Sequence, residues 1–343
     1  MPNTIDDPRI DPRIRAVMGA IPVTGGGDVE SREELLARVS QPEVQAMWQQ
    51  LTALMDALDS EELAPSTGLT TTTHEFVSSP DGNTIKVQLI RPDGAEPVPC
   101  VYYIHGGAAA PISAFLGMYR AWGRLIAGNG VAVAMVDPRM QLAPSSAPEV
   151  APFPAPLDDC VSGVRWLAGA AAELGIDAGR IVVAGESSGG NLTLGTGLKL
   201  RQDGDLGLIR GLYALCPWIA GSWPQDRFPS SVENNGIFLD LHNNLSAMLW
   251  GIKELENQNP LAWPSFATEA DVAGLVPTVI SVNEFDPLRD EGIEFYRLLI
   301  RAGVPARCRQ VMGTIHATEL FLPACPEISR ETAASIAQFC RES

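Results

Sequence analysis

The segment Gly185-Glu186-Ser187-Ser188-Gly189 sets a serine between glycines. It comes directly after the apolar run Ile181-Val182-Val183-Ala184 and directly before a helical pattern from Gly190 to Arg201. A strand that reverses into a helix this tightly needs small neighbours, because its backbone leaves the ordinary regions and glycine tolerates that at little cost. The reversal lifts a hydroxyl clear of the strand and leaves it at a helix start, where N–H groups favour negative charge. Ser187 is therefore the candidate nucleophile. A serine hydroxyl is too weakly acidic to attack a carbonyl unaided, so a base must take its proton and a third group must orient that base.

Four histidines are available: His74, His105, His242 and His316. His316, in Gly313-Thr-Ile-His-Ala317, lies just after a strand ending near Val311, where a loop can reach the serine. Asn283-Glu284-Phe285-Asp286-Pro287 follows the strand Thr278–Val282, and Asp286 is the candidate acid. Serine, acid, histidine is the chain order of the α/β-hydrolase fold, and Asp286 to His316 fits one loop, one helix and one strand of crossover. Glu284 and Asp290 are the rivals for the acid, Asp290 as the opening of a helix. His242 would have to precede the acid, and both it and His74 read as surface or core histidines. A tetrahedral intermediate also needs hydrogen-bond donors for its oxyanion. Ile104-His105-Gly106-Gly107-Ala108 follows the strand Val101–Ile104, where the fold places such a loop, and Ser188 adds the N–H after the nucleophile. His105 reads as a brace for that loop.

These residues need a scaffold, and strands and helices alternate from residue 74 onward. Glu75–Val77, Ile85–Arg91, Val101–Ile104, Val131–Val136, Arg180–Ala184, Gly211–Cys216, Thr278–Val282 and Ala306–Val311 read as strands. Helical patterns over Tyr119–Ala127, Asp158–Leu174, Gly190–Arg201, Asp290–Ala302 and Ile328–Cys340 separate most of them. Continuously apolar strands between helices predict a mostly parallel central sheet covered on both faces. Residues 1–73 stand apart as N-terminal cap helices: Ser31-Arg-Glu-Glu34 opens a short helix through Val39, and Pro42–Asp59 carries one apolar face. Residues 217–266 break the alternation with Trp218, Trp223, Phe228, Phe238, Trp250, Trp263 and Phe266. This insertion is expected to join the N-terminal helices as a cap over the strand ends, between core segments 74–216 and 267–343. The competing reading is a core-forming subdomain without substrate contact.

Three segments together resemble the bacterial hormone-sensitive-lipase-like esterases, a family of capped α/β-hydrolases. They are His105-Gly-Gly, Gly185-Glu-Ser-Ser-Gly-Gly-Asn191, and Asp286-Pro-Leu-Arg-Asp-Glu-Gly292 followed by His316. The resemblance covers roughly residues 75–340. It implies a Ser187–His316–Asp286 triad and an oxyanion hole at Gly106, Gly107 and Ala108, the second and third donating, with Ser188. It implies hydrolysis of short-chain acyl esters without a cofactor, and a possible homodimer. Three positions depart from the pattern. Ala108 replaces a third glycine, the elbow carries Glu186 and Ser188 where many relatives have aspartate and alanine, and Asp137-Pro-Arg139 leads to Ala143-Pro144-Ser145 in place of Ala-Pro-Glu.

A net charge of −17 opposes binding to phosphate backbones or anionic lipid surfaces, so neither nucleic acid nor a membrane is an expected partner. The six cysteines are scattered without a Cys-x-x-Cys pair and read as buried thiols; no cluster has metal-ligand spacing. With no signal-peptide pattern at Met1-Pro-Asn and no membrane-length apolar stretch, the expectation is a soluble, cytoplasmic enzyme acting on a small-molecule ester. Two alternatives stay open. An amidase, lactonase or specialised deacetylase would use the same triad, and a non-catalytic ligand-binding protein would use the same fold.

Overall fold

The computed structural model describes residues 5–19, 26–107 and 110–343. Eight strands form one sheet: β1 (Leu69–Val77), β2 (Thr84–Pro92), β3 (Val98–Ile104), β4 (Ala132–Asp137), β5 (Ile176–Glu186), β6 (Gly211–Leu215), β7 (Thr278–Asn283) and β8 (Ala306–Val311). Their spatial order is β1-β2-β4-β3-β5-β6-β7-β8. The β1–β2 and β2–β4 pairs are antiparallel, and every pair from β4 through β3 to β8 is parallel. The α/β sheet expected from the sequence is thus present, with its antiparallel part confined to one edge.

Alternation along the strands explains the two layers of core. Tyr102, Ile104 and Val183 face one apolar cluster, which takes in Leu157, Leu192 and Leu299 from helices Ala155–Ala170, Ser188–Asp203 and Arg289–Arg301. Val101, Tyr103 and Val182 face the other, with Met118 and Ile336 from helices Gly117–Ala127 and Pro326–Glu342. A sheet covered on both faces must have strands apolar on both, which is why β3 and β4 read as unbroken apolar runs.

Most elements fall where the sequence places them, with ends shifted by a few residues in either direction. The largest difference is β1, which begins at Leu69 rather than Glu75 and absorbs Thr70–Thr73; these β-branched residues pair with Gln88–Arg91 of β2. Helix Arg32–Val39 has Ser31 as its N-cap, accepting from Glu34 N at 3.1 Å. Helix Pro42–Asp56 sits against the core where Asp56 Oδ1 accepts from Gly117 N at 2.8 Å. Residues 28–29 are tied to the insertion: Val29 N donates to Asn244 Oδ1, and Asn244 Nδ2 donates to Val29 O. A short helix, Pro12–Met18, has no counterpart in the sequence reading.

Candidate active site

Ser187 stands between the end of β5 and the helix Ser188–Asp203, with φ 57° and ψ −120°. Such a backbone costs energy for a residue with a Cβ, and it is held by neighbours on both sides. Ser187 N donates to Leu215 O at the end of β6 (3.0 Å), and Trp218 N donates to Ser187 O (3.1 Å). The flanking glycines answer a second demand. A Cβ on Gly189 would lie 2.1 Å from Ile104 O, and one on Gly185 2.4 Å from the same atom. The end of β3 therefore packs directly on the elbow, and the loop that follows it starts beside Ser187.

The loop after β7 carries Asp286, whose Oδ2 is 2.7 Å from His316 Nδ1 on the loop after β8. Asp286 Oδ1 accepts from Leu288 N at 2.9 Å, so both carboxylate oxygens are engaged. The pair is buried. The two loops are joined to each other: Phe285 N donates to Thr314 O, and Glu284 Oε2 accepts from Gly313 N. Burial alone would lower the His316 pKa, but the charge of Asp286 and the neighbouring Cys216 sulfur outweigh it and hold the imidazolium form well above the usual histidine range. The structure thus brings His316 and Asp286 together and gives the other acidic residues different tasks. Glu284 braces the His316 loop, and Asp290 accepts from Ser230 N and pairs with Arg289.

His74 contacts Thr72 Oγ1, and His242 Nε2 contacts Ser231 O; neither reaches Asp286. No hydrogen bond joins Ser187 to His316 among the described residues, and such contacts often tighten only when substrate arrives.

His105 Nδ1 lies 2.8 Å from Gly106 O, and its Nε2 lies 3.0 Å from Asp137 Oδ1. Asp137 also accepts from Ser113 Oγ, Ala114 N and Ser146 N, so the histidine is fixed to a saturated carboxylate. Gly106 N donates to Glu186 Oε1 at 2.6 Å, so this N–H faces the elbow carboxylate. Gly107 has φ 89°, a conformation that suits glycine. Ala108 lies outside the described residues. Ser188 opens the helix, with its N–H in the first turn. Downstream of Asp137, Ser145 Oγ donates to Pro138 O, while Arg139 forms a buried ion pair with Asp159.

Two neighbours of the site escape sequence reasoning. Cys216 directly follows β6 between Leu215 and Trp218, both bonded to Ser187, and has φ 34°. Its sulfur, a carboxylate oxygen of Asp286 and a ring nitrogen of His316 lie within 4.8 Å of one another, the one set of potential metal ligands among the described residues. In that set Asp286 and His316 already share a hydrogen bond. The only sequence signal was the position of Cys216 at a strand's carboxyl end. Phe238, from the insertion, stacks on the His316 ring (6.3 Å, 28°) and meets Phe321 edge-on. Most insertion aromatics instead pack together: Trp218, Trp223, Trp250 and Trp263 form one buried cluster with ring centroids 4.8–6.4 Å apart.

A family model described as alpha/beta hydrolase fold matches residues 101–320, which hold the His105 loop, Ser187, Asp286 and His316. The chain belongs to that family. Among solved structures, this hydrolase resembles esterase Est22, with 63% identity, full coverage of both chains and a TM-score of 0.98. It also resembles brefeldin A esterase, described as a bacterial homologue of human hormone-sensitive lipase, at 31% identity and TM-score 0.86, covering 98% of this chain and 94% of that one. Esterase LipI of Mycobacterium tuberculosis is 29% identical over 318 residues, 92% of this chain and 89% of LipI. The hydrolase is therefore a carboxylic-ester hydrolase of the hormone-sensitive-lipase-like group. No helix among its described residues is long and apolar enough to cross a membrane.

Proposed function

We propose that the enzyme hydrolyses short-chain acyl esters through Ser187, His316 and Asp286. The observation that carries the reading is the buried 2.7 Å contact between Asp286 and His316, on loops opening at the same sheet end as the strained Ser187 elbow. His316 accepts the Ser187 proton as the hydroxyl attacks the ester carbonyl, while Asp286 holds the ring and stabilises the imidazolium. Backbone N–H groups of Gly107, Ala108 and Ser188 receive the oxyanion. Collapse of the tetrahedral intermediate breaks the ester C–O bond, and His316 returns its proton to the departing alcohol. Water activated by His316 then cleaves the acyl-enzyme and restores Ser187.

Two features support a small acyl group. Phe238 stacks on the His316 ring and is itself backed edge-on by Phe321, which makes the surface beside the base apolar. A relative from Pseudomonas putida, 29% identical over 245 residues (69% of this chain), is named ethyl acetate hydrolase. The test is a panel of p-nitrophenyl esters of increasing chain length with an anilide included, run on wild type and Ser187→Ala. Acyl chains of roughly C2 to C8 should be the best substrates, as a pocket of a few hundred Å³ admits. Ser187→Ala should lose turnover on the order of a millionfold while staying folded. More than a few per cent of wild-type turnover in pure Ser187→Ala would overturn the mechanism, and faster cleavage of the anilide would move the enzyme to the amidases.

A further inference from the structure

Glu186 is buried beside the nucleophile, and its side chain takes no part in the mechanism above. Three donors converge on it: Gly106 N to Oε1 at 2.6 Å, Tyr119 Oη to Oε1 at 2.5 Å, and Tyr103 Oη to Oε2 at 2.6 Å. Tyr103 comes from β3, Tyr119 from the helix Gly117–Ala127, and Gly106 from the loop between them. The approach is tight, since a Cβ on Gly106 would lie 2.8 Å from Glu186 Oε1 and 3.1 Å from Ser187 Cβ.

Consider which peptide planes these contacts fix. The Gly106 N–H belongs to the 105–106 peptide, and Glu186 holds it. The Gly106 C=O belongs to the 106–107 peptide, and His105 Nδ1 lies 2.8 Å from that oxygen. In a trans peptide the N–H points opposite to the C=O. Holding Gly106 O toward His105 therefore turns the Gly107 N–H the other way. Glu186 and His105 together fix both planes around Gly106, a residue that on its own has wide conformational freedom. An oxyanion donor is effective when it is aimed before charge develops, so a clamp of this kind acts on the transition state more than on bound substrate.

We infer that Glu186 is a positioning residue whose carboxyl oxygen, by accepting the Gly106 N–H, fixes the peptide before Gly106 while His105 fixes the one after it, so that the Gly107 N–H is aimed at the oxyanion; this rests on the Ser187 mechanism proposed above. It also gives a reason for the longer glutamate at a position where many relatives carry aspartate. The contact depends on reach: a side chain shorter by one methylene withdraws the oxygen by more than ~1 Å, past hydrogen-bond range.

The test compares Glu186→Gln with Glu186→Asp. Glutamine keeps an oxygen at the Gly106 N–H, and its amide can donate to Tyr103, whose hydroxyl serves in either role. Aspartate keeps the charge and loses the reach. Rates are measured on p-nitrophenyl butyrate and normalised to active sites counted by p-nitrophenol release from diethyl p-nitrophenyl phosphate, with melting temperature as a check on folding. Glu186→Gln should stay within about fivefold of wild-type kcat. Glu186→Asp should lose about 10- to 100-fold, below the 10²–10³ typical of deleting a donor outright, with KM changed less than about threefold. The Ki of a trifluoromethyl ketone, which forms an oxyanion on the serine, should rise in Glu186→Asp by the factor that kcat/KM falls. Wild-type kcat in both variants, or Glu186→Gln more impaired than Glu186→Asp, overturns the proposal. A fall in melting temperature with kcat per active site unchanged overturns it too, leaving a structural role. Ser187→Ala run in parallel separates the two readings: if it stays active the mechanism itself fails, and if it is inactive a negative result at Glu186 counts against the clamp alone.

Discussion

Replacing Asp286 with asparagine keeps the side chain's size and removes its charge. Oδ2 lies 2.7 Å from His316 Nδ1, and both residues are buried, so water screens the pair little. With roughly 4 Å between charge centres and an effective dielectric of about 20, the lost attraction is about 4 kcal/mol, or about three decades in rate if the imidazolium forms fully in the transition state. A second loss adds to it. The asparagine amide donates where the carboxylate accepted, which leaves Nδ1 bare and puts the ring proton on Nε2, the nitrogen that must receive the Ser187 proton. Together these give a fall in kcat of about 10⁴, the size this exchange has in a serine protease. The pH profile carries a sign as well. Only the neutral ring accepts a proton, so kcat/KM rises with pH through the His316 pKa. In the wild type that limb lies above the ordinary value of 6.5, because Asp286 and Cys216 outweigh burial. In Asp286→Asn burial gains ground, and the limb moves to lower pH. The assay is initial rates on a p-nitrophenyl ester across the pH range, read where both forms of p-nitrophenol absorb equally. A variant within tenfold of wild type, or an acidic limb that stays in place, would refute the assignment of Asp286 to His316.

Gly189→Ala should be inactive and destabilised by about 1–3 kcal/mol or more, because its Cβ would sit 2.1 Å from the Ile104 carbonyl; normal activity with an unchanged melting temperature would remove the packing argument for the elbow. Glu291 accepts N–H bonds from Ile219, Ala220 and Trp223, yet burial still pushes its pKa from 4.5 to about 8. Between those values the folded protein holds a proton that the unfolded chain has released, so this group's contribution to stability falls as pH rises from 4.5 to about 8. Urea unfolding across that window should show Glu291→Gln losing less stability with rising pH than the wild type, and parallel curves would show that Glu291 titrates normally.

What the sequence displays of this site is what neighbouring residues encode. The Ser187 elbow is legible because strand, glycines and helix are contiguous, so one short window contains the whole turn. Asp286 and His316 are legible through the order of strands, since each lies just past the end of one. The exposed ends of elements are less so. The Thr70–Thr73 run joins β1 only because β2 lies opposite it, a tertiary decision that no window around it contains. The same limit hides Glu186. Its partners Tyr103 and Tyr119 are 83 and 67 residues away, and a carboxylate in an elbow motif gives no sign of which loop it will hold. Cys216 reads as one more buried thiol until the fold sets it beside His316. The tryptophans of 217–266 mark an aromatic segment, but only packing separates the mutual cluster from Phe238, which reaches the histidine.

The loop carrying His316 has a support from a segment far from it in sequence. Asp11 N donates to Gly313 O at 2.9 Å, the Arg9 guanidinium lies over the Phe285 ring, and Ile10 and Ile14 are buried in the cluster that includes Ile315. A chain made from its N-terminus synthesises residues 9–14 long before the carbonyl that Asp11 needs exists. Until the loop after β8 has been made, Asp11 N has no Gly313 carbonyl to bond and Ile10 and Ile14 lack the cover that Ile315 gives their cluster. The loop that carries the base is thus closed by a contact spanning roughly 300 residues of chain, the kind of long-range pairing whose loop-closure entropy must be met before it can form.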